Sequence, residues 1–209
     1  MSQPATVIKP TSFAFVDTWR GHRVDLSKPD PATINLDDIA WSLSSQPRFN
    51  GHTMGGCSYS VAQHSIWTAW YMQTQLHQQP TIVLQALLHD AHEAYIGDIP
   101  TPVKWLPGVC DAINPIAERL QSAIHSALKI PPPEGAAVQL ISHVDHVALA
   151  VEAHYLMQSK GRNWGLPVLS ASELKAWHDP RDENWGYESF IECVERLLLS
   201  KSIADVFSG

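Results

Sequence analysis

His89 and Asp90 stand side by side in the run LLHDAHEAYIGDIPTPVK, so an imidazole and a carboxylate, two metal-ligand types, leave the backbone at one place. Such a pair points to metal-assisted chemistry. The apolar stretch from Val83 to Leu88 leads into it and Gly97 follows, which predicts a helix stopped by a glycine. Glu93 lies four residues after His89 and three after Asp90, a spacing that predicts all three side chains on one helical face.

One helix supplies only part of a coordination sphere. His64 in YSVAQHSIWTAWYM and Asp145 in LISHVDHVALAVEAHYLM are the two further candidates, each set in an apolar helical pattern. A carboxylate in such a segment needs a partner, because an unpaired buried charge costs several kcal/mol. His64, His89, Asp90 and Asp145 together would offer two nitrogens and two oxygens to one divalent ion. Manganese, cobalt, iron, nickel and zinc suit that mixed set; two imidazoles disfavour magnesium. An ion held this way keeps positions for water and a phosphate oxygen, lowers the pKa of the water and draws charge from the breaking P–O bond.

The order of His64, then His89-Asp90, then a distant Asp145 resembles the HD-domain metal-dependent phosphohydrolases. The run HDAHEAYIGDIPTPVK is similar to the corresponding stretch of the YfbR-like bacterial 5′-deoxynucleotidases, including the glutamate three residues after the aspartate and the later Gly-Asp-x-Pro-Thr-Pro. Upstream, DIAWSLSSQPRFNG also resembles bacteriophage HD proteins, among them dATP phosphohydrolases. The likeness covers roughly residues 38 to 160. It implies metal ligation by His64, His89, Asp90 and Asp145, an acid or base role for Glu93 and, just past Gly97, for Asp98, and a phosphate-binding role for Arg48. The nucleotidases carry Arg-Trp where this chain has Arg48-Phe49, so Phe49 is the expected neighbour of the deoxyribose. Lys104 adds positive field at the rim. A lone core histidine, a surface aspartate and a solvated loop arginine are the bland alternatives at His64, Asp145 and Arg48. His92 has serine in its place in the similar nucleotidases, and no catalytic role is assigned to it.

The expected activity is therefore release of phosphate from the 5′ position of 2′-deoxynucleotides, with one divalent transition metal ion as cofactor. A dNTP triphosphohydrolase is the alternative within the class. From another class, the alternative is a helical interaction module stabilised by a structural metal. The net charge of −7 argues against a general nucleic-acid-binding surface, although a metal and local cations can reverse the field inside one cleft. Three widely separated cysteines exclude a disulfide framework. No leader and no apolar run of membrane-spanning length is read, so the expected setting is cytoplasmic, without membrane partners. Homo-oligomerisation is compatible with the sequence.

The elements that must position these residues read as helices over 36–45, 60–76, 81–96, 111–128, 135–158 and 187–203, with a shorter one near 171–177. Breaks fall at Gly51–Gly56, Pro100 and Pro102, Pro131–Pro133 and 163–167. Almost nothing reads as strand. The 209 residues, 44% of them hydrophobic, are enough for a full core. The expected fold is an all-α, HD-type helical bundle over residues 35–209, with an irregular arm over residues 1–34.

Overall fold

The computed structural model describes residues 14–208, and its architecture is all-α apart from one small hairpin. The helices are α1 (Leu36–Ser45), α2 (Val61–Thr74), α3 (Pro80–Leu87), α4 (Glu93–Ile96), α5 (Thr101–Lys104), α6 (Val109–Leu128), α7 (Ala136–Leu156), α8 (Ala171–Lys175) and α9 (Glu183–Leu198). Local chemistry starts several of them. Asn35 accepts from the amides of Asp37 and Asp38 at the head of α1, Ser60 accepts from Gln63 N at α2, and Asp182 accepts from Trp185 N at α9. α6 ends on Lys129 in a left-handed conformation.

α2 is the hub. It packs against α1, α3, α7 and α9, and every residue from Val61 to Ala69 is buried. A helix enclosed on all sides cannot be amphipathic, which is why its buried face includes Gln63, His64, Ser65 and Thr68 as well as Ile66, Trp67 and Met72. Around it Ile39, Leu43, Leu87, Leu120, Ile124 and Phe190 complete the core. The first helix packs on the last, α1 against α9.

Two expectations change. The irregular arm contains an antiparallel hairpin, β1 (Phe15–Asp17) with β2 (Arg23–Asp25), Val16 opposite Val24; residues 1–13 of that arm lie outside the described residues. Three-residue strands are too short for alternation to be read from sequence. The hairpin is moored by the buried Asp38 of α1, which accepts from the Thr18 hydroxyl and Arg20 N and lies 2.6 Å from His22 Nδ1. The helix expected over 81–96 is interrupted at 88–92, where contacts three residues apart, such as Glu93 N to Asp90 O at 2.9 Å, replace the α-helical ladder.

Between α1 and α2, residues 48–60 form a loop closed at its base. Arg48 N donates to Tyr59 O at 2.8 Å, Val61 N donates to Gln46 O at 3.0 Å, and Pro47 pairs with Ser60. Among the described residues no helix is long and apolar enough to cross a membrane.

Candidate metal centre

α2 brings His64 from the middle of the core, the 88–92 turn brings His89 and Asp90, and α7 brings Asp145. His64 Nε2 is 3.3 Å from His89 Nε2 and 3.1 Å from Asp145 Oδ1. His89 Nε2 is 3.1 Å from Asp90 Oδ2 and 3.7 Å from Asp145 Oδ1. Sequence neighbours on a regular α-helix do not face one another. The irregular turn at 88–92 therefore belongs to the site, because within it the side chains of His89 and Asp90 converge.

The outer nitrogens explain the orientation of the rings. His64 Nδ1 donates to Glu152 Oε1 at 2.6 Å, and His89 Nδ1 donates to the Ala86 carbonyl at 2.7 Å. With both Nδ1 atoms committed, both Nε2 atoms face the shared centre, the arrangement a metal-ligating imidazole requires. His64, His89 and Asp90 each offer one ligand atom, all within 4.8 Å of one another, and this group could hold a metal ion. The chemistry of the donors fits a borderline divalent ion.

Glu152 was not anticipated, and it joins two parts of the site. Its Oε1 takes His64 and its Oε2 accepts from Arg48 Nε at 2.9 Å, with both side chains almost fully buried. Arg48 Nη1 is left 4.0 Å from Asp90 Oδ2. Burial opposes the guanidinium charge, but Glu152, Asp98, Asp145 and Asp90 outweigh it and raise its pKa. The signal for Glu152 lay in α7, seven residues after Asp145 and so on the same face. Gln46 was also missed: its amide donates to Glu93 O and its carbonyl accepts from Asp98 N, and nothing in the sequence marks it.

The carboxylates divide into two kinds. Burial works against ionisation of Asp90 and Asp145, but the histidines beside them prevail and hold both below the usual range. The same contacts raise His89, with Asp90 foremost against burial, and raise His64, where Glu152 overcomes burial and Arg48. Glu93 goes the other way. Burial, then Asp90 and Asp98, push it up to about 9. Its Oε2 makes no hydrogen bond, and Lys104 Nζ is 3.7 Å from Oε1. Asp98 is raised by burial and Asp90, with Arg48 opposing. Environments that push neighbouring carboxyls apart separate charge-holding groups from proton-holding ones.

Phe49 lies beside Arg48, its ring centre 5.6 Å from the guanidinium carbon. His143 and His146 flank Asp145 but are exposed, and His146 Nδ1 donates to Ser142 O. His92 is held by Gln121. A separate cavity of about 310 Å³, between the hairpin, α1 and α4, includes Trp19, Trp41 and Gln46 in its lining but none of the four converging ligand groups.

Fold and site thus define a class, an all-α protein with a largely buried His-His-Asp group able to hold a metal ion. No protein-family model matches the chain. It is 34% identical over 156 residues to the uncharacterized protein YfdR of Escherichia coli K12, covering 75% of this chain and 79% of that one. It is also 36% identical over 141 residues to the uncharacterized protein RCAP_rcc00048 of Rhodobacter capsulatus, covering 65% of this chain and 69% of that one. The chain belongs to the family of these two proteins.

Proposed function

We propose that the protein is an HD-domain phosphohydrolase that releases phosphate from the 5′ position of deoxynucleotides. The observation that carries this reading is the convergence of His64, His89, Asp90 and Asp145 beside the Arg48 guanidinium. The resemblance of the HDAHEAYIGDIPTPVK run to the 5′-deoxynucleotidases supports it. In this reading those four residues are the ligands of one divalent transition metal ion. When bound, the ion supplies a Lewis acid for a phosphate oxygen and a water of lowered pKa.

The chain's own groups do the rest. Glu152 holds Arg48 by Nε, which leaves Nη1, 4.0 Å from Asp90 Oδ2, and Nη2 to meet phosphate oxygens. Burial and the neighbouring Asp90 and Asp98 favour the protonated form of Glu93, the form that could give a proton to the leaving oxygen. Asp98, tied through its amide to Gln46, positions the sugar, and Lys104 adds positive charge beside Glu93. Phe49 presents an apolar face where a 2′-hydroxyl would be crowded or unpaired. The three free cysteines fit a reducing, cytoplasmic setting.

The test is phosphate release from dAMP, AMP, dATP and ATP by protein loaded in turn with Mn, Co, Fe, Ni and Zn. Release from dAMP, favoured over AMP by about tenfold or more, is the expected result. Turnover of none of the four with any metal would overturn the assignment. Activity on the triphosphates alone would replace it with a dNTP triphosphohydrolase.

A further inference from the structure

We propose that Trp164 is a substrate-binding residue that extends the aromatic wall begun by Phe49, so that the sugar meets Phe49 and the planar base of the nucleotide lies against Trp164. The inference rests on the phosphohydrolase reading for the position of the phosphate, and it adds a residue from outside the HD motifs.

The two rings come from distant parts of the chain and meet at 6.2 Å between centres, inclined by 44°. Neither ring is among the residues of the hydrophobic core or those packed against it, and Trp164 is 39% exposed. The backbone is specialised at both. Phe49, Asn50 and Gly51 run consecutively in left-handed conformation, with φ of 55°, 51° and 72°. Asparagine and glycine accept that region readily; a bulky aromatic does not, and such outliers concentrate where a side chain is aimed for function. Here the outlier sits directly after the arginine assigned to phosphate.

Trp164 is delivered by a chain of tight turns after α7. Lys160 N donates to Met157 O, Arg162 N to Ser159 O and Trp164 N to Gly161 O, at 2.9, 3.1 and 3.2 Å. The loop is seated on α7 at Gly161, where a side chain would crowd its neighbours. A Cβ at Gly161, where φ is 70°, would lie 2.9 Å from Leu166 Cδ1 and 3.1 Å from Ala153 Cβ. Ala153 follows Glu152, so the loop that presents Trp164 rests on the same stretch of α7 that holds Arg48 and His64. Asp90, Arg48, Phe49 and Trp164 then succeed one another in space. A mononucleotide presents phosphate, sugar and base in that order. Stacking on an aromatic face tolerates any base, because every base has a π-face.

Two measurements on Trp164→Ala and Trp164→Phe test the proposal. The first is kcat and KM for dAMP and for deoxyribose 5-phosphate, which has no base, with the same metal. The ratio of kcat/KM for dAMP to that for the base-free ester should fall about tenfold in Trp164→Ala, mainly through KM, and be largely restored in Trp164→Phe. The second is binding of deoxyadenosine, a ligand without phosphate, followed by saturation-transfer NMR; the signal should vanish in Trp164→Ala. If wild type hydrolyses dAMP and the ratio is unchanged in Trp164→Ala, the wall is overturned and the phosphohydrolase stands. If wild type hydrolyses nothing yet binds deoxyadenosine through Trp164, the reverse holds. Neither hydrolysis nor binding would overturn both.

Discussion

Glu152 serves two unlike groups with one side chain, since each of its oxygens takes a different donor, the His64 ring and the Arg48 guanidinium. Removing it would leave a buried imidazole free to turn and a buried guanidinium without its nearest counter-charge. Loss of such an outer partner of a ligating histidine costs about 10- to 100-fold in metal affinity. Glu152→Ala is expected to show that loss in competition with a chromogenic chelator, while Glu152→Gln, with one acceptor oxygen in place of two, should fall between. Wild-type affinity in Glu152→Ala would show that His64 holds its orientation without it. At this scale the group that could hold a metal ion was legible, because His64 and His89-Asp90 are ligand types at a recognisable spacing. Glu152 and Gln46 were not, because their partners, at sequence separations of 88 and 104 for Glu152 and 47 and 52 for Gln46, exist only in the folded chain.

Helix α1 was readable to its ends, Leu36 and Ser45, since its cap Asn35 and its apolar positions are local features. The element that carries the His-Asp pair was not read correctly. Apolar periodicity continues from Val83 through Tyr95, so the sequence pattern cannot register that the backbone changes its hydrogen bonding at Leu88. What holds the segment after that break is tertiary. Gln46, at the end of α1, donates to Ser42 Oγ and Glu93 O and accepts from Asp98 N, while Ser42 Oγ donates to Ala94 O. Gln46→Ala should therefore release α4 and the Asp98 loop together. Leaving those partly buried groups unpaired costs about 1–3 kcal/mol. Urea titration should show a lower midpoint with an unchanged slope, and amide exchange at Asp98 should quicken. An unchanged midpoint would mean that packing of α4 against α1 is sufficient.

Across the whole molecule the division of labour follows the order of the chain. His64, His89, Asp90 and Asp145, with Glu93, Asp98 and Glu152, lie from His64 onward, whereas Arg48 and Phe49 lie at the start of the loop whose base is closed by Arg48 with Tyr59, Gln46 with Val61 and Pro47 with Ser60. The loop's far end, at Gly55 and Gly56, is exposed and carries none of these residues. That closed base has a consequence for chain continuity. A protein cleaved between Gly55 and Gly56 would become two fragments, one bearing Arg48 and the other the His64, His89 and Asp90 group that could hold a metal ion, joined by the packing of α1 on α9 and by the paired stem. Cut at an introduced protease site, it should still elute at the size of the intact protein and match the uncut protein in metal affinity and in phosphate release from dAMP. Separation of the fragments without denaturant would show that the covalent link itself holds the arginine in place. If they stay together, the two halves could be made as separate chains, and the proposed hydrolysis would require both.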